Sequence, residues 1–431
     1  MKSWKHLFSG LVLALAASTA SAHDQVPGEK QQHPILLKGG TLHTVTQGVM
    51  VNTDLLFSGG EIIAMGNQLT LPDNTEVIDI QGQHVYPGLI AMDTTLGLNE
   101  IEAVRATRDS EEVGAIHPEV TAHVAFNADS EVIPTVRYNG VAYAQVVPQG
   151  QLVMGASSLM QLDGWNADDA IVRAKTGMHV QWPRTYVVDA WWEQRTPEQQ
   201  REANAKALDT LKQVFVDAKA YYDAKQADQL NAVDVRWEAM LGLFDGSLPL
   251  YVHANDVRQL EQALDIAKEY GFQLVLVGAA DAWRIKERLA KSQTPVIFEG
   301  LFGLPNHNDD GYDQAYRSAG ELAAAGVNLA LAYPGYWDTR NLAFGVGNAI
   351  AYGLNPDKAL AMVTLKPAKL LGVGAQLGSL TVGKKASLIV SKGDIFDPLG
   401  QDLSAMFING RKVTLQSRQT ELYHKYQKRP E

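Results

Sequence analysis

A chain of 431 residues is too long for one compact core of ordinary size, so a large domain with a smaller companion is the default. With 46% apolar and 20% charged residues and no biased tract, the composition is globular rather than disordered. A formal charge of −11 without a lysine–arginine stripe argues against nucleic acid or an anionic membrane as partner, and the lack of cysteine excludes disulfides, thiolate zinc sites and a cysteine nucleophile.

The N-terminus carries Lys2 and Lys5, an apolar stretch from about Leu7 to Ala17, and Ala20-Ser21-Ala22. This is the pattern of a secretory signal cleaved after Ala22, and the apolar stretch is too short to span a bilayer. Cleavage removes two lysines and no acid, taking the charge from −11 to −13. The protein is therefore expected in the periplasm or secreted, without membrane insertion after cleavage. Residues 23–33 read as a polar linker.

From Ile35 to Ile80, short β-rich runs are separated by Gly39-Gly40 and Gly59-Gly60, and the same texture returns in "LGSLTVGKKASLIVSKG" and "AMFINGRKVTL". Residues 34–85 and 376–414 are thus expected to form one small β-sandwich domain from both ends of the chain, with 415–431 as a tail. Between them strand and helix alternate. "LIAM" at 89–92, "GVAYAQVVP", "PLYVHAN", "FQLVLVGAA", "PVIFEG" and "VNLALAYPG" are short and apolar, and stretches such as "DVRQLEQALDIAKEYG" have helical spacing. Such alternation predicts an α/β fold, a (β/α)8 TIM barrel over 86–370. A long polar helix is expected near 197–226. The rest of 165–235 shows no clear period, and its tryptophans, with Trp165, Trp182, Trp191 and Trp192 close together, read as packing residues.

The split β-domain, "YPGLIAMDTTLG" opening the barrel, "VHA" at a later strand end and "ALAMVTLKPAKLLGVGAQLGSLTVGKKASLIV" closing it resemble the amidohydrolase superfamily, above all its exported, imidazolonepropionase-related members. The resemblance covers nearly all of the mature chain. It implies metal-assisted hydrolysis of C–N bonds in linear or cyclic amides at the barrel mouth. The family's first strand ends in Asp-x-His-x-His, and here those three positions are Ala91, Asp93 and Thr95. His253 matches the histidine of the fifth strand. The sixth offers Gly278, Ala279 and Ala280 in place of histidine, and the last offers Tyr333 and Pro334 in place of aspartate.

The resulting expectations are specific. Asp93 and His253 hold a divalent metal, zinc by the nitrogen and oxygen donors; Asp93 and Glu299 are the catalytic carboxylates; Thr95 and Tyr333 bind substrate. Each has a plainer reading: His253 as a core histidine, Asp93 as a turn carboxylate, Glu299 as the cap of a loop. Two functions follow. One is a hydrolase of non-peptide C–N bonds with a reduced or rebuilt metal site; the other is a catalytically inactive barrel that binds a small molecule or a partner protein. Homo-oligomer formation is left open by the sequence.

Overall fold

The computed structural model describes residues 25–430; the stretch expected to be a cleaved signal lies outside them. Five strands come first: β1 (Ile35–His43), β2 (Val49–Ser58), β3 (Glu61–Gly66), β4 (Glu76–Asp79) and β5 (His84–Pro87). Eight follow in the middle of the chain: β6 (Leu89–Thr94), β7 (Val141–Val146), β8 (Val153–Gln161), β9 (Ile171–Gln181), β10 (Leu250–Ala254), β11 (Leu274–Gly278), β12 (Val296–Phe298) and β13 (Leu329–Leu331). Three return at the end: β14 (Leu388–Ser391), β15 (Leu403–Ile408) and β16 (Arg411–Lys412).

The first and last groups share one sheet in the order β16-β15-β14-β5-β1-β2-β3, with β4 also on β1. The β1–β2 register breaks on either side of Gly40, the kind of irregularity that bends a strand. Phe57 on β2 meets Phe407 on β15 edge to face at 5.0 Å, although their strands are not neighbours. Leu37, Leu55, Val85, Leu388 and Val390 complete this core. The domain built from both chain ends is therefore present. At Gly88 the chain passes straight into the barrel. A Cβ there would lie 2.6 Å from that of Ala142, so only glycine allows the approach.

The middle strands form the barrel, in sequential order from β6 to β13. The row is joined at its ends by Thr94, whose hydroxyl donates to the Gly335 carbonyl at 2.6 Å and lies 2.8 Å from the Thr339 hydroxyl. One strand departs from an all-parallel barrel: β8 runs antiparallel to both β7 and β9. Only six residues join β7 to β8, too few for a crossover helix, so the pair closes as a hairpin. The reversed strand and the long β9 fill much of the stretch that lacked a clear period in the sequence. The helix Pro197–Gln226 follows, capped by Thr196 and Gln199.

Alternation along the strands builds two apolar layers. On β10, Leu250, Val252 and Ala254 face the surrounding helices while Tyr251 packs with the barrel interior. The helix Val257–Tyr270 shows how the outer layer is set. Asp256 and Gln259 form its capping box, left-handed Gly271 ends it, and Leu260, Ala263, Leu264 and Ala267 pack inward.

Candidate active site

The strands deliver four of the expected residues to one cavity. Asp93, Thr95, His253 and Glu299 all line a space of about 520 Å³ at the C-terminal mouth of the barrel. That is where this fold gathers its chemistry, because the loops after the strands meet there.

His253 follows from the β10 alternation, on the same side as Tyr251. Glu299 follows Phe298 at the end of β12 in the same way. Asp93 needs a different explanation. Leu89 and Ala91 face the helices and Ile90 and Met92 the interior, so strict alternation would turn Asp93 outward. Its left-handed backbone (φ 52°) and a break in the β6–β7 register between Ala91 and Thr94 turn it into the mouth instead.

Tyr333 is not brought to this cavity. Its ring lies against Gly345, and it packs on the outer core. Neighbouring Pro334 and Gly335, with Tyr336, Trp337 and Asp338, form that wall. Of the four tryptophans read as packing residues only Trp182 is buried; Trp165, Trp191 and Trp192 are exposed.

The sequence reading missed His179. It sits on β9 between Met178 and Val180, which face the helices, and is fully buried. Its Nδ1 lies 2.9 Å from His253 Nε2, its Nε2 2.8 Å from Ser157 Oγ, and its ring stacks on Tyr251 at 4.6 Å. "MHV" in β9 and "VHA" in β10 share one signal, a histidine between apolar neighbours on a barrel strand.

His253 Nε2 is 3.6 Å from Asp93 Oδ1. One donor atom from each of Asp93, His179 and His253 lies within 4.8 Å of the others. Burial, then the neighbouring His253, hold His179 well below the usual histidine value of 6.5, which keeps it neutral and fit to bind a cation. Burial, then the charge of Asp93, raise Glu299 well above the usual 4.5. Asp93 Oδ1 and Glu299 Oε1 are buried without a hydrogen-bond partner, as expected where a cation belongs. No ligand comes from β11. A side chain at Gly278 would place its Cβ 2.7 Å from Asn255 Oδ1, so the asparagine takes that space.

Sequence and structure comparisons agree with this architecture. Residues 252–417 match the model of the amidohydrolase family. A dihydroorotase from Citrifermentans bemidjiense is 40% identical over 58 residues, 14% of either chain. An imidazolonepropionase from Flavobacterium johnsoniae is 38% identical over 81 residues, 18% of this chain and 20% of that protein. The matched stretches thus span no more than about a fifth of these relatives. The crystal structure of an amidohydrolase from Thermotoga maritima superimposes with a TM-score of 0.77 at 23% identity, over 88% of this chain and 99% of that one, a likeness of fold.

A second gathering, Asp256, Asp281 and His307, lies beside the mouth. Its groups are already engaged. Asp281 accepts from the Val257 amide and pairs with His307 at 2.8 Å, and Asp256 accepts from Thr185 and Arg258.

Proposed function

We propose that this protein belongs to the amidohydrolase family and is an exported, metal-dependent hydrolase of non-peptide C–N bonds in linear or cyclic amides, with a rebuilt metal site. The observation that carries the reading is the convergence of Asp93, His179 and His253 beside two partnerless buried carboxylate oxygens. Two imidazoles and a carboxylate suit zinc and leave room for water and substrate. A divalent ion held there supplies Lewis-acid chemistry, lowering the pKa of water and polarising a carbonyl.

The chain supplies the rest. Ser157 fixes the His179 ring through Nε2, so Nδ1 faces the site. Glu299 is the proton carrier: water attacking the amide carbon gives up a proton, and the departing nitrogen takes one. A carboxyl held well above its usual range keeps a proton more readily than an ordinary glutamate, which suits it to accept the first and deliver the second. Thr95, Asn99, Gln149 and Gln181 line the cavity with hydroxyl and amide groups suited to the substrate's own amide. By its N-terminal sequence the protein works in the periplasm or outside the cell, after removal of residues 1–22.

One observation favours the inactive-barrel reading, the lack of room for a ligand at Gly278. Purified mature protein decides. The hydrolase reading expects stoichiometric metal, a melting temperature lowered by EDTA because a bound ion stabilises the fold by mass action, and turnover within a panel of amides and cyclic imides. His179→Ala and His253→Ala should each lose metal and turnover together. Metal-free protein with an EDTA-insensitive melting temperature and no turnover would leave the binding barrel standing.

A further inference from the structure

The mouth of the cavity has a charge that its floor does not need. A divalent ion would be balanced by Asp93 and Glu299. Glu102, from the loop after β6, and Asp338, from the loop after β13, also line the cavity, and among the described residues no lysine or arginine does. Asp338 pairs with Arg340 at 3.7 Å, but the aspartate is 59% exposed and the contact is long, so water screens it. The Arg340 guanidinium instead lies over the Trp337 ring, 4.6 Å from its centre. Tyr336 and Trp337 add aromatic surface to the same wall. Acids at a rim do not alone make a site. Here they share the cavity with Asp93, which is 7% exposed and has a buried, partnerless Oδ1.

We infer that the cavity selects a cationic substrate, an amide or cyclic amide bearing an ammonium or guanidinium group that lies between Glu102 and Asp338 at the rim. This rests on the hydrolase reading and adds the substrate class. With the floor neutralised, the rim keeps two negative charges in a concave setting, which favours a cation and repels an anion.

Three hydantoins test this, with side chains of equal length ending in an ammonium, a methyl or a carboxylate, presented to zinc-loaded full-length mature protein. The expected kcat/KM order is ammonium, methyl, carboxylate, with the cation ahead of the anion by about tenfold at low salt and the gap narrowing as salt rises. Glu102→Gln and Asp338→Asn should each cut the ammonium-to-methyl ratio by about two- to fivefold. If none is hydrolysed, calorimetric titration of the same compounds keeps the two readings apart. Tightest binding of the ammonium compound upholds charge selection while the hydrolase reading fails. Equal affinities, preference for the carboxylate, or no binding of any of the three would overturn the inference, as would turnover indifferent to charge.

Discussion

His179, buried against His253, and Glu299, which lines the cavity, are displaced in opposite directions, and each sets one limb of the stability profile. His179 is held well below 6.5 in the fold, so below about that pH the unfolded chain binds more protons and acid destabilises the protein. Glu299 is held well above 4.5, so from that pH upward the folded protein binds the extra proton and rising pH costs stability until the folded value is passed. A cation that displaces the Glu299 proton should bind more tightly as pH rises. In EDTA, Glu299→Gln should flatten the alkaline limb and raise the melting temperature there, since a neutral amide replaces a carboxylate forced to ionise beside Asp93. Scanning calorimetry from roughly pH 5 to 9 reads this directly. Parallel wild-type and variant curves would mean that Glu299 does not carry the limb.

At the scale of the element, β6 turns a regular strand into a site by breaking its own period at Asp93. The left-handed backbone is tolerable because aspartate and asparagine adopt it more readily than other residues bearing a Cβ. Asp93→Asn should therefore keep the turn, while Asp93→Ala adds strain of about 1 kcal/mol, visible in urea unfolding with EDTA present so that ion loss does not contribute. Equal stabilities would remove the argument. The same break explains what was legible in the sequence. His253 and Glu299 could be placed because their strands keep period two into the mouth. Asp93 and Thr95 were placed together from that rule, yet they share the cavity through the bulge. His179 escaped because β8 reverses direction and the long β9 lies in a stretch without clear strand–helix alternation. Tyr333 was misplaced because it lies beyond β13, where the chain is turning and period two no longer fixes a side.

Across the whole molecule, one carboxylate ties three separate pieces together. Asp163, with its side chain fully buried, accepts from Arg137 of the barrel helix Ile133–Tyr138 at 3.2 Å and from the Gly28 amide at 3.1 Å, and pairs with Arg411 of β16 at 3.1 Å. Arg411 also donates to the Asp163 carbonyl. Burial pushes the Asp163 carboxyl up despite both guanidinium groups, which act to lower it. Desolvation thus offsets much of the attraction, and the cluster's main contribution is to fix how the β-domain sits on the barrel. Removing the carboxylate alone is a different matter, because it strands buried positive charge. Asp163→Asn should destabilise by about 3–5 kcal/mol, read by urea unfolding. Replacing Arg137, Asp163 and Arg411 together with apolar residues of similar volume should recover most of that loss. If the single substitution were harmless, or the triple as damaging as the single, the cluster would not be the pin between the domains. Recovery in the triple would show that the junction needs matched groups there, charged or apolar, rather than the ion pairs themselves.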